Sequence, residues 1–189
     1  MPKRLRIRPR QWLRSLGAVA ASLFLLVAGA WIGLHLESNA LLQVAGSPHV
    51  VREAAMAYAI YTPEVHHPVE VPGHQEEHLI AWLTKRMGAQ VRAPQLGNLG
   101  FLLVGGRLLS SDDGPGELFM YENADGPRIV LYVCQNEQAD RNTAFRFASD
   151  EGVSVFYWFD GPFSYALAGE LDRSGMLGLA EVVYSQIVI

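Results

Sequence analysis

The strongest constraint on this chain is a stretch of twenty-two residues, Ser15 to Leu36, that contains no Asp, Glu, Lys or Arg and follows directly on Lys3, Arg4, Arg6, Arg8, Arg10 and Arg14. A helix rises about 1.5 Å per residue and a bilayer core is about 30 Å thick, so this stretch predicts one transmembrane helix. Its basic flank predicts a cytoplasmic N-terminus and an exported C-terminal part, in a single-pass inner-membrane arrangement. All nineteen acidic residues and nine of the fifteen basic ones follow the stretch, giving the exported part a formal charge of -10 against +6 on the tail. The competing reading is a cleavable signal peptide, with an apolar region from Leu16 to Val27 and Ala28-Gly29-Ala30 as its processing site. Hydrophobicity continues through Trp31, Ile32, Leu34 and Leu36, and Trp12 and Trp31 fall at the two interfaces, which favours a retained anchor in contact with membrane lipid. Gly29 and Gly33 form a small-xxx-small pair, the candidate contact for a homodimer.

The pattern divides the chain into a basic tail (1–14), the transmembrane helix (15–36), a stalk helix with linker (37–73) and an α+β domain (74–189). From about Ser47, Val51, Ala54, Ala55 and Tyr58 recur at helical spacing until Pro63. Val69 and Val71 suggest a short edge strand. A second helix runs from about His74 to Met87, with Lys85 and Arg86 in its last turn and Gly88 as its cap. The period then changes to that of strands, at 100–109, 117–123, 127–134, 143–149, 152–160 and 163–170, with short turns such as Asp125-Gly126-Pro127 and Asp160-Gly161-Pro162 between several of them. Connections this short permit antiparallel hairpins alone, so the expected sheet is a meander. Val153 to Phe159 is apolar on both sides and is expected at its centre, Gly105-Gly106 marks a bend or bulge, and Cys134 reads as a buried thiol. A last helix, about Asp172 to Ile187, should cover one sheet face with Leu177, Leu179, Ala180, Val183 and Ile187. The fold class is α+β: one N-terminal transmembrane helix, then an antiparallel meander sheet packed with helices.

Four of the six histidines, His66, His67, His74 and His78, lie within thirteen positions and are the weak candidates for metal ligands. His74-Gln-Glu-Glu-His78 fits the inverted zinc-peptidase pattern H-x-x-E-H, yet no third ligand accompanies it. The acidic pairs Glu76-Glu77, Asp112-Asp113 and Asp150-Glu151 read as solvated charge, since neighbouring side chains point apart on a helix or strand. The chain carries no nucleophile elbow, phosphate-binding loop, C-x-x-C or dinucleotide fingerprint, so a non-enzymatic role without a cofactor is expected. Nucleic-acid binding by the exported part is disfavoured by its acidity. Aromatic residues crowd the stretch from Phe145 to Tyr165, where Tyr157, Phe159 and Tyr165 are candidates for lining a groove for a partner or small ligand.

Seven segments in this order resemble the transmembrane anti-sigma factors, or transmembrane transcriptional regulators, of Gram-negative bacteria: His67-Pro-Val-Glu-Val71, His78 to Gly88, Gly100 to Leu109, Phe119-Met-Tyr-Glu122, Thr143 to Phe147, Gly152 to Trp158 and Ser164 to Leu171. The resemblance implies a non-catalytic signalling protein with a periplasmic sensing or protein-binding domain. In that family a cytoplasmic domain before the membrane helix holds the sigma factor, often with a His-x3-Cys-x2-Cys zinc motif. Here fourteen residues without His or Cys precede the helix, so a sigma factor is an expected partner only where another segment or protein supplies that domain. The alternative is a membrane-tethered periplasmic protein that binds a metal or small ligand.

Overall fold

A computed structural model describes residues 48–187 apart from 112–113, 137–143 and 151. The expected transmembrane helix at 15–36, the tail before it and the Gly29–Gly33 contact lie outside these residues. Among the described residues no helix is long and apolar enough to cross a membrane.

Three helices, α1 (His49–Tyr61), α2 (Glu76–Met87) and α3 (Arg173–Ile187), accompany seven strands: β1 (Val71–Pro72), β2 (Phe101–Ser111), β3 (Gly114–Asn123), β4 (Arg128–Gln135), β5 (Arg146–Asp150), β6 (Val153–Asp160) and β7 (Phe163–Gly169). Every pairing is antiparallel, in the order β1-β2-β3-β4-β7-β6-β5. The fold is therefore α+β as expected, but its sheet is not a plain meander. The reason lies in the ten residues between Gln135 and Arg146, too many for a tight hairpin. The next strand, β5, lies at the far edge of the sheet, three strand spacings or about 14 Å from β4, a distance that ten residues can span. The chain then returns by hairpins through β6 to β7, which fills the place beside β4. Ala166, Leu167 and Ala168 of β7 are fully buried on alternate faces, which suits an interior place. β6 is interior too, next to the edge strand β5, and the centre of the sheet belongs to β4 instead.

Both faces of the sheet are covered. Period-two alternation sends Phe119, Tyr121, Ile129, Leu131, Phe156, Trp158 and Leu167 to the face that packs under α2 and α3. Leu118, Met120, Val130, Tyr132, Cys134, Val155, Tyr157 and Phe159 go to the face under α1. α2 contributes Leu79, Leu83 and Met87, each at most 2% exposed, and each stabilises the fold by roughly 2 kcal/mol through burial. Gly88, at φ 69°, ends the helix in the left-handed conformation that its missing Cβ permits, and its N–H donates to the Thr84 carbonyl. α3 starts where the Asp172 carboxylate accepts hydrogen bonds from the Gly175 N–H and the Ser174 hydroxyl. Its buried residues are Met176, Leu179, Ala180 and Val183, while Leu177 turns outward. Placing Leu177 on the buried stripe therefore needs correction, since Met176 continues the 3.6-residue period through 180 and 183.

Expected as a stalk, α1 is part of the domain. Val50, Val51, Ala54, Ala55, Ala57 and Tyr58 are buried against the sheet, in one core with side chains of β3, β4, β6 and β7. Its alanines keep that helix face thin enough to lie close on the strands. Glu53 Oε2 accepts hydrogen bonds from Ser111 Oγ (3.0 Å) and Tyr132 OH (2.8 Å), tying α1 to β2 and β4. Beyond the helix, Arg128 of β4 donates to the Thr62 and Glu64 carbonyls at 2.7 and 2.8 Å and to Glu122 at 2.9 Å. At the sheet edge β1 reaches only Gly105 and Gly106 of β2. A bulge after Leu103 and the φ of 152° at Gly105 bend β2 there, and a Cβ on Gly105 would collide with the Val71 carbonyl. Next along this edge, the Leu108 N–H donates to the Glu70 carboxylate at 3.0 Å.

Candidate functional site

Four residues stand in one transverse row of the sheet. Glu117 pairs with Val133, Val133 with Tyr165 and Tyr165 with Trp158, all four pointing to the face under α2 and α3. A glutamate in such a row is unusual, because carboxylates are seldom fully buried without a partner. Glu117 is 4% exposed, and its Oε2 is buried without a hydrogen-bonding partner among the described residues. Burial pushes its carboxyl from an ordinary 4.5 up to about 8, so at neutral pH it is largely a neutral acid with an O–H to donate. Tyr165 beside it is pushed up to about 12, first by burial and then by the charges of Asp160 and Glu117. Tyr121, on the same face, is raised by burial and then by Glu76 and Glu117, and its hydroxyl is likewise buried and unbonded among the described residues.

Glu117 and Tyr165 line a pocket of about 90 Å³ whose other walls are Leu131 and Val133 of β4, Phe163 of β7, Met87, Ile187 and the segment 89–92. A water takes about 30 Å³ in the liquid, so that volume holds about three. The segment that closes it is pinned at several points. Gln135 donates to the Met87 carbonyl at 3.0 Å, and Thr84 Oγ1 accepts the Val91 N–H at 3.2 Å. Gln186 near the end of α3 binds the Gln95 N–H at 2.8 Å and its carbonyl at 3.0 Å. Arg92 lies on the pocket rim and is otherwise exposed. Behind the pocket Trp158 stacks on Tyr165, centroids 5.3 Å apart and planes 5° from parallel, with Phe145 and Tyr184 edge-on to its ring. The walls are held by covalent neighbours and paired amides, so the cavity is preformed.

The residues singled out from sequence fall in different places. Tyr157 and Phe159 are neighbours, with ring centroids 6.0 Å apart, and belong to the core under α1. Tyr165 faces the opposite side of the sheet. These three therefore share no groove, because an odd step along β6 and the register with β7 send Tyr165 to the face of Trp158. His66 and His67 are exposed in the linker, where Glu64 Oε1 accepts both backbone N–H groups at 2.9 and 3.3 Å. His74 sits in a 3-10 turn (Gly73–Gln75) and His78 in α2, both exposed, so their four-residue spacing spans the junction of two helix types. Among the described residues no group of three or more His, Cys, Asp or Glu side chains is placed to hold a metal ion. Cys134 is buried in the α1 core. Sequence reasoning passed over Glu117 and Arg92. Glu117 was detectable, since Glu117, Phe119 and Tyr121 alternate on one face, whereas Arg92 reaches the rim through loop closure alone. Comparison with protein-family models, with curated proteins and with solved structures finds no match.

Proposed function

We propose that the chain is a membrane-anchored, non-catalytic signalling regulator of the anti-sigma-factor type, whose exported α+β domain is a receptor for a small ligand. The observation that carries this reading is the Glu117 pocket: a cavity walled by both polar and apolar groups, with one uncompensated buried acid that a bound molecule would satisfy. A single neutral acid suits binding better than turnover, which needs a base or nucleophile beside the acid. Transcriptional signalling through a sigma factor rests on the sequence resemblance and on a cytoplasmic domain supplied by another segment or protein. The basic-flanked apolar stretch supports the single-pass inner-membrane placement. Protease added to intact spheroplasts should digest residues 48–187 and spare the tail. Protection of the globular part, or a mature chain beginning at Trp31, overturns the anchored receptor. Co-purification of a sigma factor with a version carrying a cytoplasmic domain, in amounts that respond to ligand, tests the signalling step.

A further inference from the structure

The pocket holds two groups of different character at one mouth. Arg92 supplies a permanent positive charge at the rim, and Glu117 supplies a buried carboxyl with no partner of its own among the described residues. Tyr165 and, deeper, Tyr121 are the other titratable side chains near Glu117 on this face; the remaining lining that β4 and α3 contribute, Leu131, Val133 and Ile187, carries no charge. Resting on the receptor reading above, we infer that the pocket takes a short apolar monocarboxylate, its carboxylate held between the Arg92 guanidinium and the Glu117 carboxyl group and its alkyl tail against Leu131, Val133, Phe163 and Ile187.

Charge and size both select this class. A carboxylate neutralises Arg92 and accepts the Glu117 O–H, and a hydrogen bond from a neutral acid to an anion is among the short, strong ones. An ammonium ligand would favour an ionised Glu117 and would bring a second cation toward Arg92, which repels it. A neutral amide satisfies Glu117 but gains nothing from the charge of Arg92. A cavity of about 150 Å³ holds a six-carbon ring, so a volume of about 90 Å³ with the head group at its mouth admits a tail of about two carbons and excludes branched and long acyl chains. Because the donor is a proton on Glu117, binding should weaken once that proton is lost, and the neutral acid persists to about pH 8.

Calorimetric titration of the full chain in lipid nanodiscs with sodium propionate, propionamide and propylamine tests the assignment. Propionate should bind one per chain at pH 7, at least about tenfold tighter than either analogue, and lose about tenfold in affinity at pH 9, one pH unit above the loss of the Glu117 proton. In Glu117→Gln, which keeps a donor but cannot ionise, that loss with pH should vanish, and Arg92→Gln should weaken propionate about tenfold or more without changing the thermal transition. Preference for the amine or amide, affinity indifferent to Arg92→Gln, or no heat from any of the three with folded protein overturns the carboxylate assignment. The spheroplast digestion is indifferent to these outcomes, so failure of the ligand class and failure of the anchored placement are told apart.

Discussion

Glu117 is the residue at which folding and the proposed binding make opposite demands. Its carboxyl is raised in the folded chain and ordinary in the unfolded one, so between about pH 4.5 and 8 the folded state binds the extra proton. Stability therefore falls as pH rises through that window, by up to about 5 kcal/mol at its top, and is unaffected by this group below it. Glu117→Leu should remove the slope and stabilise the protein at pH 7, as read by urea unfolding across a pH series. A slope that persists in the variant would place the buried charge elsewhere. The period-two alternation of β3 makes the depth of Glu117 legible in the sequence. Its lack of a partner is not legible, because that depends on what four other segments bring to the same end of the sheet. The histidines are the converse: an H-x-x-E-H spacing is written plainly at 74–78, yet Pro72-Gly73 starts a 3-10 turn and the two rings end on an exposed surface.

At the scale of elements, local signals placed most strands and helices to within a few residues. Turn chemistry at Asp125-Gly126 and Asp160-Gly161, the Gly88 cap and the Asp172 helix start are all short-range, and short-range physics is what a single sequence carries best. The insertion of β7 between β4 and β6 is long-range and left only an indirect trace, a strand apolar on both faces and one connection too long for a hairpin. Two substitutions probe the element junctions. Gly105→Ala would drive a Cβ into the Val71 carbonyl and Pro72, so it should cost about 2 kcal/mol or more and free residues 64–72 for rapid amide exchange. Arg128→Ala removes the donors that hold the Thr62 and Glu64 carbonyls and should cost about 2 kcal/mol in chemical denaturation, with exchange rising in the same segment. Unchanged exchange in either variant would mean that the linker is held by other contacts.

At the scale of the whole molecule, strands β3, β4, β6 and β7 each feed both cores, so neither core can loosen alone. Ala54→Asp, which buries a charge under α1, should therefore lower the fluorescence transition of Trp158 on the opposite face together with the far-ultraviolet circular dichroism transition. Two separated transitions would show that the layers melt independently. An α+β class follows from the alternation of periods in the sequence, but the three-layer arrangement does not, because α1 reads equally well as a stalk until its alanines are seen lying on the strands. The Glu70 carboxylate on the Leu108 amide has a bearing on behaviour in crowded conditions. An incoming foreign β-ribbon would have to displace that anion before it could zip onto the open margin beside β1, so the margin discourages fibril-like stacking of one copy on the next.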